Sequence, residues 1–139
     1  MTWDEWLRSH GLARAAGASA EQIAGAEFRV GSLPPDLRAL YSITNGVVAA
    51  NVEILPLFDR GELKRTWESL ERANDVATSD YVDDAEFLKR FLIFADLGGG
   101  FAAFDRTDGT IWYSEDDDLH QVDVDLRQFL DLLLKENAS

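Results

Sequence analysis

The sequence predicts a single domain of the α+β class. Apolar residues recur at helical spacing near the amino terminus and again at the carboxyl terminus, whereas strand-like apolar runs lie between them. Asp108-Gly109 separates two of these runs, which predicts a β-hairpin. No internal repeat or low-complexity linker divides the 139 residues, and this length suits one domain, residues 1–139.

Capping boxes predict two helices at the start of the chain. A Thr or Ser is followed three residues later by Glu or Gln in the pairs Thr2–Glu5 and Ser19–Gln22. In the second helix we expect Ile23, Ala24 and Phe28 to face the core.

The stretch LPPDLRALYSITNG, Leu33–Gly46, predicts a third helix. Its prolines suit the first turn, where the backbone donors have no helical partner. Leu37, Leu40 and Tyr41 lie on one face. Asn45-Gly46 tolerates the left-handed conformation that ends helices.

The middle of the chain predicts one strand, one helix and one loop. Val52–Leu57 is a strand that ends at Pro56 or lies at a sheet edge, because proline cannot donate to a neighbouring strand. Glu62–Asn74 is a helix. Its apolar stripe is Leu63, Trp67 and Leu70. Asn74–Asp84 is polar and predicts a loop.

The last third predicts strands followed by a helix. Phe91–Ala95 is a buried strand, and Phe101–Asp105 pairs with Thr110–Ser114. A two-residue loop would place Phe104 opposite Tyr113, with Ile111 on the same face and Phe101 and Trp112 on the other. Apolar residues on both faces indicate either a sheet covered twice or one face that meets a partner. Asp125 is predicted to cap the final helix, with Gln128 at the reciprocal position. Its buried stripe is Leu126, Phe129, Leu130 and Leu133.

Net charge is the most informative bulk property. The chain carries −13, and residues 96 to 125 hold nine acids and one base, hence −8. Such a surface repels nucleic-acid phosphates and anionic membranes. It attracts and steers a basic protein partner. The alternative is a solvated surface that only maintains solubility.

The compartment is predicted from absences. Cysteine is absent, which excludes thiol catalysis, disulfides and thiolate metal sites and fits a reducing compartment. No secretory signal or membrane-spanning stretch is recognisable. We therefore expect a soluble, cytoplasmic protein without a cofactor.

Three patterns raise the question of chemistry. Gly98–Gly100 leads into a strand rather than a helix, which favours a tight connection over a phosphate loop. Glu115–Asp118 with His120 lacks the alternation and the glycine of a calcium loop. His10 and His120 have no triad partner that spacing assigns. We therefore expect no enzyme, although a small acidic metal-binding domain or enzyme stays open.

The order of landmarks resembles the SUKH superfamily, which includes bacterial immunity proteins and fungal regulators of cell-wall synthesis. The residues that carry the resemblance, from about Ser19 onward, are Glu27, Leu33, Pro34, Asp36, Leu37, Leu40, Asn45, Gly46, Ile54–Leu57, Asp96, Gly98–Gly100, Asp105, Ile111–Ser114, Phe129 and Leu130. The resemblance implies helices first, then a mainly antiparallel sheet, then a carboxyl-terminal helix, and no catalysis.

The resemblance also implies a partner. Many members bind and neutralise a cognate toxin domain, often a nuclease, and the acidic segment fits a toxin with a basic surface. The alternative is a regulatory scaffold that docks onto a non-toxin protein. The residues that we expect to contact the partner are Glu115, Asp116, Asp117, Asp118, Asp96, Asp105 and Trp112.

Overall fold

The computed structural model describes residues 1–137, which form seven α-helices and a six-stranded sheet. The helices are α1 (Trp3–Ser9), α2 (Ala20–Val30), α3 (Pro35–Ile43), α4 (Leu63–Thr66), α5 (Leu70–Ala73), α6 (Ala85–Arg90) and α7 (Leu126–Asn137). The strands are β1 (Val47–Ala49), β2 (Val52–Ile54), β3 (Phe91–Asp96), β4 (Phe101–Asp105), β5 (Ile111–Glu115) and β6 (Asp118–Val122). A 3-10 turn, Arg60–Glu62, precedes α4.

The sheet is an antiparallel meander in the order β1-β2-β3-β4-β5-β6. Helices lie at both ends of the chain, so the α+β prediction is confirmed. Two strands, β1 and β6, were not expected. Both are edge strands with one free side, so neither needs the strong apolar pattern of a central strand.

Aromatic side chains cover both faces of the sheet. On one face the ring of Phe94 lies 4.5 Å from that of Phe104 and 6.3 Å from that of Phe129 in α7. On the other face Phe87 of α6 contacts Phe101 at 5.8 Å. Of the two possibilities that the sequence left open, the structure therefore shows the sheet covered twice.

The predicted helix starts agree with the structure. Thr2–Glu5 and Ser19–Gln22 both form reciprocal capping boxes. Asp125 and Gln128 exchange the same pair of hydrogen bonds, of 2.8 and 3.1 Å, before α7. The inward face of α2 was predicted wrongly in part, because Phe28 is 92% exposed and Ala24 is exposed as well. The buried residues of α2 are Ile23, Ala26 and Val30.

A helix–strand latch joins the end of α3 to the segment after β2. Asn45 is buried, and its amide donates to the Leu57 carbonyl oxygen at 2.9 Å and accepts the Leu57 N–H at 2.7 Å. Tyr41 donates its hydroxyl to the Leu55 carbonyl oxygen at 2.5 Å. Gly46 has a positive φ of 97°, and a Cβ there would lie 3.1 Å from the Ile54 carbonyl oxygen. The latch (Tyr41, Asn45, Gly46, Leu55 and Leu57) therefore fixes where the sheet begins.

The predicted strand Val52–Leu57 is shorter than expected. It ends at Ile54, before Pro56, which agrees with the expected effect of the proline. The segment stays buried as far as Leu57, because the latch and the Leu55 N–H, which donates to the Phe94 carbonyl oxygen at 2.9 Å, satisfy its backbone.

The single helix predicted over Glu62–Asn74 is wrong. The chain forms α4 and then α5, because the Ser69 side chain accepts the Arg72 N–H and begins a new helix. The predicted stripe is divided accordingly. Leu70 is buried, whereas Leu63 is 50% and Trp67 55% exposed.

The β4–β5 hairpin forms around Asp108-Gly109, but its predicted register is wrong. Phe104 pairs with Ile111, not with Tyr113. The register is shifted by two positions, and an even shift keeps each side chain on its predicted face of the sheet. Trp112 and Phe104 therefore still lie on opposite faces.

Aspartate side chains explain the longer turn. The Asp105 carboxylate accepts the Thr107 N–H at 2.9 Å, and Asp108 accepts the Thr110 N–H at 3.0 Å. The Asp105 N–H donates to the Thr110 carbonyl oxygen at 2.8 Å, so residues 106–109 form the loop. Such local bonds favour a turn that a residue count alone does not identify.

Candidate functional site

A cavity of about 660 Å³ lies where three connections meet: the β3–β4 turn, the β5–β6 turn and the loop before α6. We call it the acidic cavity. The acids that line it are Asp80, Asp96, Asp116, Asp117 and Asp118. Its apolar and aromatic lining is Tyr81, Val82, Phe87, Phe101 and Leu119. A cavity lined by carboxylates and by apolar side chains can hold a group that is both cationic and partly apolar.

The β5–β6 turn places consecutive carboxylates at the rim. Asp116 and Asp117 have positive φ angles of 51° and 68°, and Glu115 pairs with Asp118 across the hairpin. Aspartate tolerates this left-handed backbone better than most residues, and two such residues in sequence suit a two-residue hairpin turn. The acidic stretch is therefore the tip of a hairpin, not an irregular loop.

The rim carboxylates are available to a partner. Glu115, Asp116, Asp117 and Asp118 are exposed. Among the described side chains of residues 1–135 they form no hydrogen bond or ion pair. Neighbouring like charges repel one another, so a cation placed between them would be bound favourably.

Asp96 and Tyr81 hold the wall of the acidic cavity. Tyr81 donates its hydroxyl to Asp96 Oδ2 at 2.8 Å, and Asp96 Oδ1 accepts the Gly98 N–H at 2.7 Å. Burial, together with this carboxylate, raises the pKa of Tyr81. The ring of Tyr81 also contacts Phe101 at 6.0 Å. Asp96 therefore positions the loop before α6 as well as contributing negative charge.

The glycine run is explained by close approach of the backbone. A Cβ at Gly100 would lie 2.6 Å from Ser114 Oγ and 2.7 Å from the Ser114 carbonyl oxygen. Gly98 has a positive φ of 88° and lies against Asn51. The run connects β3 to β4 and precedes no helix, in agreement with the expected tight connection.

Two further acids, Glu53 and Glu68, extend the negative charge from the acidic cavity. Glu53 pairs in register with Asp96, and burial together with the Asp96 charge raises the pKa of Glu53. Partial burial and a hydrogen bond with Asp80 raise the pKa of Glu68. Glu53 lies on β2, Glu68 on the connection between α4 and α5, and Asp80 on the loop before α6.

Two arginines partly offset this charge. Arg72 Nε lies 3.9 Å from Glu68, and Arg65 interacts with Glu53 while pairing with Glu62 at 2.8 Å. Both lie on the side of Glu53 and Glu68, and neither lines the acidic cavity. The negative field is therefore strongest at the rim, among Asp116–Asp118.

Two of the residues expected at the partner surface lie elsewhere. Asp105 is 2% exposed, and its Oδ2 accepts hydrogen bonds from Arg90 Nε at 3.2 Å and Nη2 at 3.1 Å. Trp112 is half-buried, donates to Thr110 Oγ1 at 2.9 Å and contacts Phe91. Both lie toward the β4–β5 loop. Asp105 therefore offers no accessible carboxylate.

The described residues contain no metal centre of the usual kind. Among the side chains that the structure describes, those of residues 1–135, no group of three or more His, Asp or Glu is placed to hold a metal ion. His120 stacks on Tyr113 at 5.2 Å, and His10 Nε2 lies 3.1 Å from Asp131. The two histidines thus contact different side chains, and they do not lie together at one site.

Sequence reasoning identified the consecutive acids but missed Glu53, Glu68, Asp80 and Tyr81. Their convergence depends on strand register and on the path of the loop before α6, and neither leaves a local pattern. Only a prediction that β2 pairs with β3 could have found one of these residues, because that pairing places Glu53 beside Asp96.

A comparison with protein families gives a match over most of the chain. A model of the SMI1 / KNR4 family (SUKH-1) matches residues 17–132, well over half of the chain. A search of curated proteins found no match. In the part of the chain that the structure describes, no helix has the length and apolar character needed to cross a membrane.

The family match agrees with the resemblance inferred from the ordered landmarks. The family is consistent with an immunity or regulatory protein-interaction domain and is not known as enzymatic. The chain belongs to the SMI1 / KNR4 family (SUKH-1) of the SUKH superfamily.

Proposed function

We propose that this protein is a cytoplasmic immunity protein that binds and neutralises a cognate toxin domain through the acidic cavity. One observation carries the proposal. Exposed carboxylates that have no partner among the side chains of residues 1–135 converge with aromatic side chains on a single cavity. The family, with its protein-interaction domains, supports this choice over a catalytic function.

The charge distribution favours a toxin with a basic surface. The protein carries −13, and the rim concentrates Asp116, Asp117 and Asp118 on one turn. A nuclease presents a basic groove to its phosphate substrate, and an acidic protein surface can occupy such a groove in place of the phosphates. Long-range attraction also accelerates the encounter of the two proteins.

The cavity lining suggests how a single contact is made. A lysine or arginine side chain of the toxin enters with its aliphatic stem against Phe101 and Leu119 and its charge among the rim carboxylates. Tyr81 adds an aromatic face at the same place. The proposed charged contacts are Glu115 to Asp118, with Asp96 holding the wall. Asp105 and Trp112 are not included, since they lie toward the β4–β5 loop.

Co-expression with the product of the adjacent gene tests this function. We expect the two proteins to purify together and the wild-type protein to protect cells from that product. The triple variant Asp116→Asn, Asp117→Asn and Asp118→Asn should protect less well. Asparagine suits positive φ, so the turn is retained.

The matched control changes the same charge elsewhere. Glu21→Gln, Asp36→Asn and Asp123→Asn remove three exposed acids that do not line the acidic cavity. Equal protection by the triple variant and the wild type would overturn the site. A stable complex with a protein that is not toxic would instead indicate a regulatory scaffold.

A further inference from the structure

A second cavity, of about 790 Å³, lies apart from the acidic one. It is enclosed by the end of α2, by α5 with the residues after it, by α6 and by the β4–β5 loop. Arg29, Lys89 and Arg106 line it. This group holds three of the thirteen Lys and Arg residues of a protein with a net charge of −13. We call it the cationic cavity.

Arg106 is a half-buried guanidinium that has no carboxylate partner among the described side chains of residues 1–135. Its Nε donates to the Leu88 carbonyl oxygen at 3.3 Å and its Nη1 to the Val30 carbonyl oxygen at 2.5 Å. Burial lowers the pKa of this guanidinium, and no acid offsets the effect. A guanidinium has five N–H donors, so donors remain for a ligand.

The other two cations are also available. Arg29 is exposed and forms no hydrogen bond or ion pair with the described side chains of residues 1–135, although its charge acts on the nearby Glu71 carboxylate. Lys89 pairs with Glu86 at 2.9 Å, but the two side chains are 73% and 81% exposed. An ion pair that exposed contributes little and is readily exchanged for another anion.

The acids that line the cationic cavity are already engaged. Both oxygens of Glu71 accept the Phe58 N–H at 3.1 Å, and burial raises the pKa of Glu71. Asp75 Oδ1 accepts the Ala77 N–H at 2.9 Å. The rim acids lie at another part of the molecule, and salt screens exposed charges beyond about 8–10 Å.

We propose that the cationic cavity binds a small organic anion that carries a carboxylate or phosphate group. Arg29, Lys89 and Arg106 would hold the anionic group, because a guanidinium matches the paired oxygens of both groups. Val30, Val76 and Leu88 line the same cavity and would contact an apolar part of the ligand. This site is independent of the toxin partner.

Titration with phenyl phosphate and with inorganic phosphate, followed by amide NMR shifts, tests the site in the full chain. Sodium chloride at the same ionic strength serves as the reference. The test variant, Arg29→Gln with Lys89→Gln, alters no hydrogen bond that holds the fold together. The control variant, Arg8→Gln with Lys64→Gln, removes the same charge outside the cavity.

We expect phenyl phosphate to cause saturable shifts at Val30, Leu88 and Arg106. The test variant should weaken binding by about tenfold, the loss expected for charge-assisted contacts, and the control should not. If phenyl phosphate binds and inorganic phosphate does not, the apolar side chains Val30, Val76 and Leu88 are required for binding, and this result would also support the site. Shifts that do not saturate, or an equal loss in both variants, would overturn it.

Discussion

The helix–strand latch and the acidic cavity differ in whether their polar groups are buried and hydrogen-bonded within the protein. In the latch, Asn45 is 2% exposed and both ends of its amide are bonded to the backbone of Leu57. At the cavity rim, Asp116–Asp118 are exposed and their side chains have no partner in the part of the chain whose side chains are described, residues 1–135. The residues by which the family is recognised therefore satisfy one another, whereas the rim retains its capacity to bind another molecule.

The same contrast applies to single carboxylates. Glu27 accepts the Leu33 N–H and the Arg38 guanidinium, each at 2.8 Å. Asp105 is buried against Arg90. An acid that belongs to the family pattern is thus no evidence of a binding role. What distinguishes a candidate contact is the absence of an internal partner together with a position at the acidic cavity.

The latch should give the largest loss of stability. Asn45→Ala removes two hydrogen bonds and leaves the N–H and carbonyl groups of Leu57 buried without partners, so we expect a loss of about 3 kcal/mol in the free energy of unfolding. Equilibrium urea denaturation measures it. Asn51→Ala, at an exposed asparagine, is the control and should change stability by less than about 0.5 kcal/mol. An equal effect of both variants would show that the buried hydrogen bonds of Asn45 contribute no more to stability than an exposed asparagine does.

The framework of the acidic cavity should be nearly as sensitive as the latch. Gly100→Ala places a Cβ within 2.7 Å of Ser114, and overpacking of this kind costs about 1–3 kcal/mol. Gly99 has nothing within 4 Å of such a Cβ, so Gly99→Ala is the matched control. Thermal unfolding distinguishes them. Equal melting temperatures would show that the β3–β4 turn relaxes freely.

Glu27 should show a pH-dependent contribution. The Leu33 N–H and Arg38 lower the pKa of Glu27, so its stabilisation is present above the unfolded value of about 4.3 and is lost as pH falls through the lowered pKa. We expect Glu27→Gln to lose about 1 kcal/mol at pH 7. Urea denaturation from pH 7 to 3 measures the difference between wild type and variant. A difference that persists unchanged at pH 3 would contradict the assignment.

Neutralising the rim should have the smallest effect on stability. The variant with asparagine at 116, 117 and 118 loses no internal hydrogen bond and relieves repulsion, so its stability should stay within about 0.5 kcal/mol of wild type or rise. Parallel urea denaturation of Glu21→Gln, Asp36→Asn and Asp123→Asn provides the reference. A loss of more than about 2 kcal/mol would mean that the rim is structural.

Local signals predicted much of the fold, since capping boxes and apolar stripes act within a few residues. Thr2–Glu5, Ser19–Gln22 and Asp125 were placed correctly for this reason. The errors occurred where side-chain bonds override spacing. Ser69 divides a predicted helix, and Asp105 lengthens a predicted two-residue turn.

The sequence identified the candidate site at its consecutive acids and at Asp96, beside the glycine run. Asp116–Asp118 lie together because they share a turn. Glu53 and Asp80 reach the same region from segments far apart in sequence, and only strand pairing and loop packing bring them there. Asp105 has the same carboxylate group as Asp96, but it is buried and therefore not accessible to a partner.

Stopped-flow measurement of the association rate with the neighbouring gene product, at several salt concentrations, tests whether the acidic cavity is the surface that contacts the partner. The triple rim variant should associate about tenfold more slowly than wild type at low salt and should depend less on salt. The control with the same net charge should lie close to wild type. If both variants slow association equally, net charge alone steers the partner and the acidic cavity is not the contact surface.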